Sequence, residues 1–277
     1  MSTELNYDDY KHPFMKTVAN IEDFSRELLV KLAHSYEDAL AHQPSAWCEA
    51  TATKVGHNEA WNIAGRMYRE GLWRPVLPQA VWPQIYGAEW KDYEHQGRPF
   101  QVDANDFTKP ALIRYIHSLQ DQYVKCANLW LDYGIELVGE EVGWNEICPL
   151  GMKNCVEYYM PSLAKVFDIP WKGTMNCIKL GVMSLDATKG YQGEWNVIND
   201  DHVELTMMEC EVLERYKEEG LYPPERAWHN CVFEEAMCVP YYPGVDFHIE
   251  LREKSELYDP PTPEKPYCVW VWKTIGK

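Results

Sequence analysis

The residue types best suited to chemistry lie near the end of the chain: Cys210, Cys231, His248 and Cys268, spaced 21, 17 and 20 positions apart. Three thiolates and an imidazole could close a tetrahedral zinc site, since zinc takes Cys sulfur and His nitrogen at roughly 2.0–2.3 Å. Iron and manganese are the alternative ions, because soft ligands also hold iron. The spacing contains no CxxC knuckle, so any such site has to be assembled from four separate segments. For each cysteine taken singly, core packing is the plain alternative, as free Cys is among the most buried residue types.

A thiol nucleophile is the second chemistry. Cys231 stands in the run HNCVFEE, ahead of Glu234 and Glu235, and needs a base to raise its thiolate fraction. His229 is two positions away, and on a helix i and i+2 point to different faces, so a surface or capping role suits it better. Glu140 and Glu141 are candidates for proton transfer. A carboxylate aimed from a core helix into a cavity loses hydration, and its pKa rises toward the range useful for acid–base work. The competing role for such a pair is a solvated helix face. Glu209 beside Cys210, and His57 and Glu59 at the start of a helical pattern, are candidates of the same kind, with Asn58 as an N-cap. His202, in an Asn-Asp-Asp-His turn, reads as exposed.

These groups need elements to position them. Ile21, Phe24, Leu28, Leu32 and Tyr36 recur at helical steps, and the His-Gln-Pro at 42–44 then ends that helix. A second helix runs from about 57 to Gly71. Five prolines between Arg74 and Pro110 mark an irregular, Trp-rich segment that could cover a domain as a lid, and place a seam there. The domains expected are a helical region over 1–110 and an α+β domain over 111–277. Residues 109–143 form the longest helical pattern, and another follows to Pro170, with Pro161 as a break or kink. The pattern then changes: NCIKLGVMSLDA, GEWNVINDDHVELTMMEC, DFHIELREK and YCVWVWKTI read as strands, the second of them as a hairpin turning at Asn199-Asp200-Asp201. The runs ECEVLERYKEEG and AWHNCVFEEAM return to helix.

Composition limits the function classes. The 277 residues include 43 acidic and 26 basic side chains, a net charge of -17, which repels phosphate backbones and anionic membrane surfaces. No apolar run approaches the roughly 20 residues of a spanning helix, and the N-terminus lacks the pattern of a signal peptide. Nine cysteines without an export signal read as free thiols. A cytoplasmic protein with a small-molecule partner is expected, with neither nucleic acid nor membrane as a partner and with homo-oligomerisation left open.

The succession LWLDYGIELVGEEVG, GEWNVINDDHVELTMMEC, HNC, YYPGVDFHIEL and PEKPYCVWVW resembles the L-2-amino-thiazoline-4-carboxylic acid hydrolase-like family, which is related to 4-vinyl reductase, haem-NO-binding and TRAPP-type ligand domains. The resemblance covers about residues 115–273. The family's Trp, Gly and acidic-Gly landmarks fall on Trp130, Gly134, Glu140 or Glu141, and Gly143. Three of its four cysteine positions fall on Cys210, Cys231 and Cys268. At the remaining one this chain carries His248, which keeps a metal ligand and removes a nucleophile.

The resemblance implies an α+β fold, a long helix packed on an antiparallel sheet with a ligand cavity between. It also implies a hydrolase or lyase that cleaves a C–N bond of a cyclic or amidine-like substrate, here with metal-bound water. Two other classes compete with it: a non-catalytic module for a small molecule or cofactor, and a structural metal site in an oligomer.

Overall fold

The computed structural model describes residues 21–70, 104–186, 193–210, 213 and 224–276. Six main helices are present among them: α1 (Arg26–Val55), α2 (His57–Glu70), α3 (Lys109–Val138), α4 (Cys148–Phe167), α5 (Thr174–Gly181) and α6 (Pro224–Cys238). Four strands accompany them: β1 (Gly193–Asn199), β2 (His202–Met207), β3 (Val245–Leu251) and β4 (Cys268–Thr274). The fold is α+β. No helix among the described residues is long and apolar enough to cross a membrane. Contacts divide the chain into a helical unit, Ile21–Val166 with Ser184–Thr188, and a sheet unit, Phe167–Met183 with Lys189–Lys277.

In the helical unit the most extensive pairing is between α1 and α3. Each is capped at its N-terminus: the Ser25 hydroxyl accepts from the Leu28 N–H at 3.2 Å, and the Thr108 hydroxyl accepts from the Ala111 N–H at 3.4 Å. Gly139, at φ 84°, closes α3 in a left-handed conformation that favours glycine. Leu29, Leu32, Tyr36, Leu112, Ile116 and Tyr123 are all at or below 1% exposure, so the two helices bury continuous apolar stripes against each other. Trp130 ties them further, its indole N–H donating to Thr51 Oγ1 at 2.8 Å.

Some sequence expectations change here. The proline at 44 does not end the first helix: α1 runs through it to Val55. Ala46, Trp47, Cys48, Ala50 and Thr51 beyond it are buried, and that packing outweighs the roughly 3 kcal/mol that an interior proline costs. Pro161 likewise stays inside α4. By contacts α3 falls in one unit with the helices before it, and its most extensive pairing is with α1. The run NCIKLGVMSLDA, expected as a strand, contains helix α5. Met175, Cys177, Ile178, Leu180 and even Lys179 are all buried, and a helix buried on every side shows no amphipathic period to read.

The expected hairpin, the third strand and the terminal strand are present. The sheet is antiparallel with order β1-β2-β4-β3. One face carries Trp195, Leu205, Trp270, Trp272 and Phe247, with Trp195 and Trp272 stacked at 5.6 Å and Trp272 edge-on to Tyr242 at 5.7 Å. The connection from β3 to β4 is held by Arg252. Its guanidinium donates to the carbonyls of Pro266, Glu256, Asp259 and Lys265 and lies 4.9 Å over the Tyr267 ring. The Trp-rich segment expected as a lid and the helix expected over ECEVLERYKEEG lie outside the described residues, save the last part of 74–110 and Glu209, Cys210 and Leu213.

Candidate functional site

The sheet unit brings three of the four predicted groups together. Cys268 opens β4, directly opposite Met207 at the end of β2, and Cys210 follows three residues after Met207. Cys231 lies on α6. Cys210 and Cys231 pack with Met207 and Trp228 against a small buried cluster of Leu213, Leu257 and Tyr267. Burial pushes the Cys231 thiol pKa well up, and the neighbouring Glu234 and Cys210 push it further. Cys268 is raised for the same first reason, then by Glu234, Cys210 and Cys231, while the nearby Trp270 side chain pulls the other way. Each of the three is therefore within electrostatic reach of the others. All are partly exposed, unlike Cys48, Cys126, Cys148, Cys155 and Cys177, which are buried.

His248 does not join them. In the β3–β4 ladder it pairs with Val271, whereas Cys268 pairs with Leu251. Side chains alternate between faces along a strand, and Cys268 and Val271 are three positions apart, so His248 and Cys268 project from opposite faces. The partner that His248 has is Glu250, 3.7 Å away on its own strand and face. His202 shares that face, with its Nε2 3.1 Å from Glu204. Among the described residues, no group of three or more His, Cys, Asp or Glu side chains has the spacing to hold a metal ion.

The remaining candidates separate. Glu140 and Glu141 belong to the helical unit and are exposed in the short turn Glu140–Val142, so neither is the desolvated carboxylate of a cavity wall. Glu209, His57, Asn58 and Glu59 are exposed as well. His229 lies in α6, and its side chain is outside the described residues.

The group that the site residues predicted from sequence do not include is Glu234. It stands three positions after Cys231 on α6, the spacing that puts two side chains on one helix face. Its carboxylate bears on both Cys231 and Cys268. In the burial pattern of α6 Val232 and Ala236 are exposed, while Trp228, Cys231 and the remaining positions to Cys238, Glu234 and Glu235 among them, are partly covered. Two glutamates in the covered stripe of a helix need polar partners, and the i, i+3 spacing from Cys231 was the available signal.

Chemically, the arrangement is one carboxylate facing thiols held in their neutral form. A nucleophilic thiolate is opposed twice, by burial and by the nearby negative charge. The carboxylate, partly exposed to water, is the group suited to accept a proton. No family model matches the chain, and neither a curated protein nor a solved structure matches it.

Proposed function

We propose that the chain is a hydrolase acting on a small organic molecule in the sheet unit, with Glu234 as the base that takes a proton from the attacking water. The observation that carries this reading is that one carboxylate, on the covered face of α6, bears on thiols from two different elements while those thiols stay protonated. Neutral S–H groups of Cys231 and Cys268 serve as weak donors toward a polar substrate atom. The resemblance to the L-2-amino-thiazoline-4-carboxylic acid hydrolase-like family supports a cyclic or amidine-like substrate with a scissile C–N bond, and a lyase acting on such a bond uses the same base.

The test is turnover of a panel of five-membered cyclic amidines and thiazoline carboxylates. Glu234→Gln is expected to lower kcat by roughly 10²–10⁴-fold with an unchanged melting temperature. Cys231→Ser is expected to retain most activity. Full activity in Glu234→Gln, or its abolition in Cys231→Ser alone, overturns the reading.

The neutral, partly buried thiols beside Leu213, Leu257 and Tyr267 favour a second reading, a non-catalytic module that binds a small molecule. Saturable binding of a panel member with no product released is its expected signature.

A further inference from the structure

Among the described residues strand β3 lies at the edge of the sheet, where one row of backbone groups has no strand partner. At that edge the Ile249 N–H donates to Glu235 Oε2 at 2.8 Å. Helix α6 packs on β3, and its covered stripe contains Glu234 and Glu235 side by side. Successive residues on a helix are rotated by about 100°, so the two carboxylates cannot serve the same partner. Glu235 is held by the strand edge, and the charge of Glu234 pushes up the pKa of Cys231 and Cys268.

We infer that Glu235 is the positioning residue of the site: its bond to the edge of β3 fixes the rotation of α6 and thereby aims Glu234 at the thiols. This rests on the reading of Glu234 as the base. The required property of residue 235 is an acceptor oxygen at the end of a side chain of that length, not a charge. Gln supplies the same oxygen, and Ala does not.

The experiment uses the full chain and two readouts, steady-state kinetics and hydrogen exchange at the Ile249 amide. Glu235→Ala is expected to speed exchange at Ile249 and to lower kcat by roughly ten- to a hundredfold with KM changed little, since a small misplacement of a catalytic group has effects of that size. Glu235→Gln is expected to restore Ile249 protection and most of kcat. A general loss of folding would instead speed exchange throughout the sheet unit and would not separate kcat from KM.

Unchanged protection in Glu235→Ala overturns the inference, as does lost protection with unchanged kcat, or a Gln variant no better than Ala. If Glu234→Gln leaves turnover intact while Glu235→Ala still frees the Ile249 amide, the contact stands and the assignment of the base fails. The positioning role fails with it.

Discussion

Each unit contains a group of three cysteines with a carboxylate bearing on part of it, and the two use that composition differently. In the helical unit Cys155 interacts with Tyr123, Cys126 and Cys148, and Asp186 bears on both Cys155 and Tyr123. Each of those three thiols is 2% exposed, and burial pushes Cys126 up to about 11 and Cys148 and Cys155 up to about 12. In the sheet unit Cys210, Cys231 and Cys268 are partly open to solvent beside Glu234. The same residue types form a sealed core in one place and an approachable surface in the other. Composition and spacing are blind to that difference, which is set by the elements that cover each cluster.

The comparison can be broken most forcefully with a charge. Cys155→Asp is expected to cost the helical unit roughly 4 kcal/mol or more, because an ionised group there has no water and no counter-charge. Cys210→Asp in the sheet unit is expected to cost about 1 kcal/mol or less. Urea unfolding of the two variants measures both, and similar losses would erase the distinction.

Alkaline titration sharpens it next. A thiol has an unfolded pKa of about 8.5. Because the folded values of Cys126, Cys148 and Cys155 are raised to about 11–12, their contribution is fully present below the unfolded value and is lost as pH climbs toward the folded one. Unfolding free energy should fall by about 1.4 kcal/mol per pH unit per thiol between about pH 9 and 11. Cys148→Ala should flatten the slope by one thiol's share. An unchanged slope would mean that the burial of Cys148 is not maintained in solution.

The smallest effect is kinetic. With a neutral alkylating reagent under native conditions, Cys210, Cys231, Cys238 and Cys268 should label several-fold faster than the five buried cysteines, as read by peptide mass spectrometry. Early labelling of Cys148 or Cys155 would contradict the seal.

The sequence made much of this legible. The α1 and α3 stripes announced themselves because one face of each meets solvent or a neighbour of different character, and the period survives. Helix α5 did not, since Met175 and Cys177 through Leu180 are buried, Lys179 included, and only Asn176 among them is half-buried. Pro44 misled for a related reason: the local cost of a proline is visible in the text, and the packing that offsets it is not.

At the site, Cys210, Cys231 and Cys268 were found from residue type and resemblance, but His248 was lost to strand parity. Spacings of 17 and 20 residues contain no information about which face of a sheet a side chain takes. That parity becomes available only once the β3–β4 register, with Leu251 opposite Cys268, is known. Glu140 and Glu141 are exposed, since a helix end is as easily wet as buried.

Arg252 has a consequence for how the sheet unit assembles. All four carbonyls its guanidinium takes lie within the single connection from β3 to β4, at separations of 4 to 14 residues. Contacts this local form early, because closing a short loop loses little chain entropy. The connection can therefore fold ahead of the strands it joins, delivering Leu251 and Cys268 to one another already in register. Lysine, with a single ammonium in place of a planar fork, could not hold four carbonyls at once, and its substitution should slow refolding more than it speeds unfolding.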